Sequence, residues 1–264
     1  MKTIGIIGMG TVGNAIAQCM CKVFEVVSYD PMKPCTHSSI LEVANASDLV
    51  FICVPTDCAP DGCCDVRIVE DVLYELLDAD FTNAVIIKST IAIGTTDYVQ
   101  GWSPELSIAF SPEFLTEKYA VEDFQGSDWA IVGGSQKAID GLRECYRLAL
   151  PDTPFHECDA KTAEALKYTL NCLLATKVEF CNEMADICEA LGVEWKKVAG
   201  LAQMDDRCGD THWQVPGPDG QRGFGGKCFP KDTKALLHMA HSKGLKPRVL
   251  EAVIAGNLER REDG

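Results

Sequence analysis

One cysteine in this chain lies where its thiol could act as a nucleophile. The segment Gly223–Asp232 reads GFGGKCFPKD and places Cys228 on a glycine-rich loop, two residues before Pro230. Proline is favoured in the first turn of a helix, and the residues that follow have a helical pattern. A thiol just ahead of a helix N-terminus is exposed to the positive end of the helix dipole, which favours the thiolate. Lys231 adds a cation and Asp232 a carboxylate that could transfer protons or orient water, so the segment predicts a nucleophilic Cys228.

The composition of the chain limits its class. Its 264 residues are 47% hydrophobic and 24% charged, which is typical of a globular protein with room for one large or two modest domains. The net charge of -15 argues against a nucleic-acid or anionic-membrane partner. Most cysteines in proteins are simply buried, and the fourteen here follow neither zinc-ligand nor disulfide-framework spacing. We therefore expect no metal site. Because no secretion signal or membrane span is recognisable, we also expect no membrane partner and a reducing cytoplasm with free thiols.

The first thirty residues have the pattern of a dinucleotide-binding unit. A short apolar run, Thr3–Ile7, leads directly into GMGTVG at 8–13, a helical pattern follows, and a second strand over Glu25–Tyr29 ends in Asp30. The first glycine permits the turn, the second lets the backbone approach a pyrophosphate, and the third lets the helix pack on the strand. Asp30 would accept hydrogen bonds from the adenosine ribose and repel a 2′-phosphate, which favours NAD over NADP.

Further apolar runs predict a mostly parallel sheet. They lie at 48–54, 84–88, 106–110 and 129–132. Most are continuous, as expected of strands that are buried on both faces. Because ligands of such sheets bind beyond the carboxyl ends of the strands, three polar segments that follow strands are candidate sites. These segments are Pro55-Thr56, Lys88-Ser89-Thr90 and Ser111–Glu117, although each could also be an ordinary turn.

The second half of the chain is predicted to be helical. A helical period runs from about Lys161 to Leu191, and its apolar stripe suits a helical bundle or a dimer core. Lys167 and Asn171 are four residues apart, so they lie on one face of that helix. We therefore expect an α/β fold with two domains. Residues 1–155 would form a Rossmann-like, mostly parallel sheet domain, and residues 156–264 an all-helical domain with a long central helix.

Together these motifs resemble those of the nucleotide-sugar dehydrogenases, the UDP-glucose 6-dehydrogenase and GDP-mannose dehydrogenase family. The resemblance extends over nearly the whole chain and keeps the order of the family's motifs. These are GMGTVG with Asp30, VPT at 54–56, KST at 88–90, SPEFLTE at 111–117, Lys167 with Asn171, Asp206-Arg207, and GFGGKCFPKD. The last motif is far more specific to the family than the others.

The resemblance implies oxidation of a primary alcohol to a carboxylate with two NAD, and the expected reaction is that of UDP-glucose to UDP-glucuronate. Cys228 would attack the intermediate aldehyde to form a thiohemiacetal, which can give up a second hydride, and water would cleave the resulting thioester. Lys167, with Asn171 beside it, would stabilise the alkoxide and the oxyanions. The other catalytic residues that the resemblance implies are Asp232, Glu117, Glu113 and Thr90, which would position water or transfer protons.

The resemblance also implies the ligand contacts. NAD would be bound by Gly8, Gly10, Thr11, Val12, Gly13, Asp30, Lys33, Pro55, Thr56, Thr90 and Lys231. The nucleotide sugar would contact Phe114, Leu115, Lys167, Arg207, Phe224 and Gly225. Because Arg207 resembles an arginine that family members donate across a dimer, a homodimer through the helical domain is expected.

The sequence departs from the family at its end. Family members usually continue into a second Rossmann-like domain that binds the nucleotide, whereas this sequence ends at Gly264, as expected of a short form that lacks this domain. Two other functions stay open. One is a β-hydroxyacid-type NAD dehydrogenase, which shares the fold plan and a Lys–Asn pair but needs no cysteine. The other is a non-catalytic NAD-binding remnant, against which the retention of every catalytic residue type argues.

Overall fold

The chain folds into two compact units. The computed structural model describes residues 1–261, apart from the side chain of Glu117. The first unit consists of residues 1–57 and 65–167, and the second of residues 58–64 together with the chain from Tyr168 onward. The predicted catalytic side chain of Glu117 and the last three residues of the predicted helical domain therefore lie outside the described residues.

A seven-stranded sheet forms the centre of the first unit. Its strands are β1 (Thr3–Ile7), β2 (Glu25–Tyr29), β3 (Leu49–Ile52), β4 (Ala84–Ile87), β5 (Ser107–Phe110), β6 (Ala130–Gly134) and β7 (Phe155–Cys158). They are arranged in the order β2-β1-β3-β4-β5-β6-β7. Every neighbouring pair is parallel except β5 and β6, which are antiparallel. The predicted mostly parallel, Rossmann-like sheet is confirmed.

Helices cover both faces of this sheet because its central strands are apolar on both sides. In β3, Leu49 and Phe51 belong to the core on one face, whereas Val50 and Ile52 belong to the core on the other. Full burial of such a side chain stabilises the fold by about 1.5–3 kcal/mol relative to leaving it exposed. The helices are α1 (Thr11–Met20), α2 (Ile40–Ala46), α3 (Arg67–Asp78), α4 (Thr95–Trp102), α5 (Ala120–Gln125) and α6 (Gln136–Ala149). Helices α1, α5 and α6 pack on the first face, and α2, α3 and α4 on the second.

The edge strand β7 is not predicted by the sequence. Its four residues, FHEC, include the exposed His156 and Glu157, so no apolar run marks the strand. Only its parallel pairing with β6, which begins with Ala130 opposite Phe155, makes it part of the sheet. The predicted domain boundary after residue 155 falls within β7, and the first unit continues to Lys167.

The second unit is built from helices. The 31-residue helix α7 (Ala160–Ala190) begins in the first unit and continues into the second, which confirms the long helix that the sequence predicts. It is followed by α8 (Trp195–Ala202), α9 (Phe229–Ser242) and α10 (Arg248–Arg260). Helix α9 is the helix predicted after the cysteine motif: Cys228 is its N-cap residue, and Pro230 lies in its first turn.

Candidate active site

The glycine turn between β1 and α1 has the geometry that a pyrophosphate site requires. Gly8 has a φ of 93°, and a Cβ there would come within 2.5 Å of the Cys53 carbonyl oxygen. A Cβ on Gly13 would overlap the Gly8 carbonyl oxygen, so α1 packs directly on the turn. A Cβ on Gly10, by contrast, would have nothing within 4 Å. Packing therefore demands glycine at positions 8 and 13, while the backbone at Gly10 is open to a ligand.

Asp30 and Lys33, which follow β2, both contact this turn. The Asp30 carboxylate accepts hydrogen bonds from the backbone N–H groups of Met9, at 2.7 Å, and of Met32, at 2.8 Å. The Lys33 ammonium donates to the Met9 carbonyl oxygen at 2.6 Å. The structure thus brings together two residues that are predicted to bind NAD, directly beside the glycines.

The N-terminus of α1 points its backbone N–H groups at the same turn. Its N-cap residue is Gly10, and no side chain caps the helix. The first helical residues are Thr11 and Val12, whose N–H groups have no partner within an α-helix and are therefore suited to an anion. The glycine turn, the uncapped helix and Asp30 together fit the diphosphate and the ribose of NAD.

The segments that follow β3 and β4 are joined by a side-chain hydrogen bond. The Ser89 hydroxyl donates to the Val54 carbonyl oxygen at 2.7 Å. Pro55 is exposed, Thr56 is buried and Thr90 is half-buried. The VPT and KST motifs therefore lie together at the carboxyl edge of the sheet, where parallel sheets bind ligands. Cofactor contacts by Pro55, Thr56 and Thr90 stay a prediction.

Glu113 and Lys167 form a buried ion pair in the first unit. The Lys167 ammonium donates to a Glu113 carboxylate oxygen at 3.0 Å and to the Glu113 carbonyl oxygen at 2.5 Å. The two side chains are 11% and 4% exposed, respectively. Burial alone would raise the pKa of Glu113, but the Lys167 charge and the N–H of Leu115 outweigh it and hold the pKa below its usual value. The structure thus joins two predicted catalytic residues that are far apart in the sequence.

The two predicted substrate residues after Glu113 flank this pair. Phe114 lies with its ring centroid 5.2 Å from the Lys167 ammonium, a cation–π distance, and its ring also packs on that of Trp129. Leu115 donates its backbone N–H to a Glu113 carboxylate oxygen at 2.8 Å. Both residues therefore help to hold the ion pair, and their contact with a sugar stays a prediction.

Lys88 is a buried residue of this region whose importance the sequence analysis missed. Its ammonium donates to the Ser111 hydroxyl at 3.2 Å and to the Pro112 carbonyl oxygen at 3.1 Å, so it ties the end of β4 to the segment after β5. Burial lowers the pKa of Lys88 to about 8, although the Glu113 carboxylate opposes the shift. The available signal was a lysine that ends an otherwise apolar run, because a charged residue is rarely fully buried without partners.

A second group of polar side chains is buried in the second unit. The Asn171 amide donates to one oxygen of the Asp232 carboxylate at 2.5 Å, and the Lys231 ammonium donates to the other oxygen, also at 2.5 Å. Asp232 is completely buried. Burial lowers the pKa of Lys231, but the Asp232 charge more than compensates, so the pKa is raised overall. Lys231 is therefore paired with a carboxylate, and its predicted contact with NAD stays a prediction.

Cys228 precedes this group at the surface. Its carbonyl oxygen accepts the N–H of Asp232 at 2.8 Å, which begins the hydrogen bonding of α9. Burial raises the pKa of other thiols, those of Cys53 and Cys172 to about 12, and so disfavours the thiolate there. Cys228, by contrast, is an exposed residue and lies at the N-cap of α9. Cys228 therefore has the position that a nucleophilic thiol needs.

The predicted sugar-binding loop and Arg207 differ in their environments. The ring of Phe224 is buried in the second unit against Val253 and Phe229, and Gly225 beside it is half-buried. Arg207 lies on the surface and forms an ion pair with Asp205 at 2.5 Å. Substrate contacts by these residues stay predictions, as does the action of Arg207 on a neighbouring subunit.

Two kinds of feature are absent from the part of the chain that the structure describes. Among residues 1–261, no group of three or more His, Cys, Asp or Glu side chains is arranged to hold a metal ion. None of the helices within that range is long and apolar enough to span a bilayer.

Two domain models of one family match the chain. The NAD binding domain of the UDP-glucose/GDP-mannose dehydrogenase family matches residues 32–149, and its central domain matches residues 161–259. The first match begins just after β2, and the second includes Lys167, Asn171 and Cys228. These matches agree with the motifs from which the family was predicted.

Individual relatives are similar over most of this chain. A UDP-glucose 6-dehydrogenase of Pseudomonas aeruginosa is 36% identical over 242 residues, which cover 85% of this chain and 51% of that protein. The UDP-glucose 6-dehydrogenase TuaD of Bacillus subtilis is 30% identical, with 99% of this chain and 64% of that protein covered. The solved structure of a UDP-glucose dehydrogenase from Pyrobaculum islandicum has a TM-score of 0.88 at 29% identity, covering 98% of this chain and 68% of that chain. The chain spans about half the length of several relatives. It belongs to the UDP-glucose/GDP-mannose dehydrogenase family.

Proposed function

We propose that this chain supplies the catalytic residues for the NAD-dependent oxidation of a nucleotide sugar, UDP-glucose to UDP-glucuronate. The observation that carries the proposal is the buried Asn171–Asp232–Lys231 group at the start of α9, next to the exposed Cys228. An alcohol can lose a hydride without help from a thiol, whereas an aldehyde must first become a tetrahedral adduct. The names of the relatives support UDP-glucose as the substrate.

In the first oxidation, the primary hydroxyl of the sugar loses its proton, and the negative charge that develops on its oxygen must be stabilised. NAD, which the glycine turn and Asp30 would hold, would supply the hydride acceptor. Lys167 would stabilise the alkoxide that forms as the primary hydroxyl of the sugar loses its proton. Its ammonium is suited to this task because it is buried and held in place by Glu113. A charge that is fixed before the reaction costs no reorganisation when the alkoxide develops.

Cys228 would make the second oxidation possible. Its thiolate attacks the carbonyl carbon, a C–S bond forms, and the π electron pair moves to oxygen to give a thiohemiacetal. Loss of the hydroxyl proton and of a hydride from the same carbon, for which a second NAD would be the acceptor, leaves a thioester. Addition of water breaks the C–S bond, releases the carboxylic acid and returns the thiol. In total the substrate loses two hydrides and two protons and gains the elements of water.

The remaining polar residues would serve the hydrolysis of the thioester. Asp232 has both carboxylate oxygens engaged, by Asn171 and by Lys231, so its orientation is fixed relative to the N-terminus of α9. From there it would position water or transfer a proton. Thr90, Glu113 and Glu117 are proposed to assist with the same water.

The proposal predicts the formation of two NADH for each sugar. The full chain is incubated with limiting UDP-glucose and excess NAD until the absorbance of NADH stops rising, and the product is identified by mass spectrometry. We expect two NADH per UDP-glucose and the carboxylate as product, with GDP-mannose as the control substrate. One NADH per molecule of a hydroxyacid would favour the β-hydroxyacid alternative. NAD binding without turnover of any UDP- or GDP-sugar would favour the non-catalytic alternative.

We also propose that the chain forms a homodimer through α7. Leu173, Phe180 and Ile187 are large apolar side chains, spaced by seven residues on this helix, and all are exposed. Such a stripe on a helix is typical of an interface rather than of a solvated face. Light scattering should give twice the chain mass of 28.7 kDa. Phe180→Glu should shift the protein to the monomer mass, whereas Leu41→Glu, at another exposed leucine on α2, should not; a wild-type monomer would refute the dimer.

A further inference from the structure

The loop that leads to Cys228 has few side chains with which to hold its own position. Three of the four residues in Gly223–Gly226 are glycine, and Gly223 and Gly226 have φ values of 73° and 75°. These values are accessible to glycine but strained for other residues. Glycine also loses the most backbone freedom on folding. Within Gly223–Gly226, Phe224 is therefore the main position at which residues from elsewhere in the unit can hold the loop in place.

Asn257 on α10 holds the backbone of Phe224 on both sides. Its Oδ1 accepts the N–H of Phe224 at 2.7 Å, and its Nδ2 donates to the Phe224 carbonyl oxygen at 2.9 Å. Asn257 is 1% exposed, so both hydrogen bonds are shielded from water. A Cβ on Gly223 would overlap Oδ1, which shows that the loop lies directly against the amide.

Arg261 extends the same contact to the next residue. A Cβ on Gly225 would overlap its guanidinium group, and this group forms an ion pair with Asp219 at 2.6 Å. The Arg261 side chain is 3% exposed. The end of α10 thus covers Gly223–Gly225 with an amide and a guanidinium that are themselves held in place.

We propose that Asn257 is a positioning residue that sets the location of the Cys228 thiol. The amide fixes the backbone four residues before the thiol, in a loop whose glycines would otherwise leave it mobile. The catalytic meaning of this role rests on the proposed function, in which Cys228 attacks the aldehyde. A displacement of about 1 Å in a reacting group can reduce the rate by about 100-fold, so loosening the loop should impair that attack.

If Asn257 positions the thiol, its replacement should slow the second oxidation much more than the first. Asn257→Leu removes both hydrogen bonds to Phe224. Asn257→Asp is the milder change, because it keeps an acceptor for the N–H and places an oxygen against the Phe224 carbonyl. In single-turnover experiments at saturating UDP-glucose, where weaker sugar binding does not limit the rate, we expect the first hydride transfer to stay within about twofold of the wild type, because it does not use the thiol. The second transfer should slow by about 10- to 100-fold, and a trapped aldehyde should accumulate.

A residue with a merely structural role would affect both oxidations alike. Leu250→Ala, at another buried position of α10, is the control for destabilisation alone, and the fraction folded is checked by thermal unfolding. Both Asn257 variants are compared with it at equal folded concentration. Equal slowing of the two steps in the Asn257 variants, or no slowing of the second, would refute the proposal.

A second measurement tests the proposal without any turnover. Iodoacetamide labelling is followed for each cysteine peptide by mass spectrometry, with the exposed Cys208 of the same unit as internal reference. A thiol on a loosened loop is held less firmly at the N-terminus of α9. We therefore expect Cys228 in both Asn257 variants to react at least about threefold more slowly at neutral pH, relative to Cys208. Unchanged labelling would count against the proposal. If the wild type oxidises no nucleotide sugar, the proposed function fails, and the labelling still decides whether Asn257 positions the thiol.

Discussion

Replacing Cys228 by serine is expected to lower steady-state NADH formation from UDP-glucose by about 1,000-fold or more. The aldehyde can give a second hydride only after a nucleophile has added to it, and a serine hydroxyl at this position has almost no anionic form at neutral pH. The helix N-terminus that favours a thiolate is too weak to ionise an alcohol. With enzyme in excess, the variant should therefore still release one NADH per sugar and then stop.

The control for this variant is Cys208→Ser. Cys208 is also an exposed cysteine of the second unit, but it lies outside the glycine-rich loop and precedes no helix. Its replacement should leave the rate and the stoichiometry of NADH unchanged. Two NADH per sugar at an undiminished rate in Cys228→Ser would exclude the thiohemiacetal mechanism, and equal losses in both variants would point to a general effect of cysteine replacement.

Lys167→Met should lower kcat for UDP-glucose oxidation by about 100- to 1,000-fold, the usual loss when one group that stabilises a developing oxyanion is removed. Methionine keeps much of the length and the apolar stem of the side chain but leaves the buried Glu113 carboxylate without its charge partner. Removing one member of a buried ion pair typically destabilises a protein by about 3–5 kcal/mol. Both losses should be visible in the same variant, by steady-state kinetics and by denaturant unfolding.

The same substitution should change how stability depends on pH. The folded-state pKa of Glu113 is held below 4.5, so this carboxylate contributes stability that is present above pH 4.5 and is lost as the pH falls through its folded value. In Lys167→Met this contribution should shrink, because burial raises the pKa of Glu113 and only the Leu115 N–H and the Lys88 charge still oppose it. The variant should therefore lose less stability than the wild type when the pH is lowered below about 4.5.

The matched control for Lys167→Met is Lys161→Met on the same helix. Lys161 forms an ion pair with Asp97 in which both side chains are more than half exposed, and such surface pairs contribute about 0–1 kcal/mol. This variant should keep its activity and its acid stability. Unchanged kcat in Lys167→Met would remove Lys167 from the proposed mechanism, whatever the effect on stability.

Those parts of the site that depend on neighbouring residues could be predicted from the sequence. The spacing of Gly8, Gly10 and Gly13 between an apolar run and a helical pattern was sufficient to predict the turn. The positive φ of Gly8 and the contact of Gly13 with the Gly8 carbonyl oxygen both lie within the turn itself. Asp30 was predicted from its place after the next strand. The start of α9 followed in the same way from Pro230, to within one residue. The structure begins the helix at Phe229 and makes Cys228 its N-cap.

Such local patterns could not predict the contacts between residues that are far apart in the sequence. Lys88 was noted as part of a polar segment, but its burial follows from its hydrogen bonds to Ser111 and Pro112, on a different strand end. The short strand β7 has exposed polar residues, so only its pairing with β6 identifies it. A sequence pattern reports which face of an element is apolar, but the partner of a polar group depends on how separate elements pack.

For this protein, the sequence alone determined the glycine turn, the NAD-binding order of elements, the long helix α7 and the cysteine at the start of α9. The tertiary structure decided which side chains meet: Glu113 with Lys167, Asn171 with Asp232 across 61 residues of sequence, and Asn257 with Phe224 across 33. The physical reason is the range of the interactions involved. Turn geometry, helix capping and periodic burial are satisfied within a few residues, whereas a buried polar group must find its partner wherever the packing of the core places one.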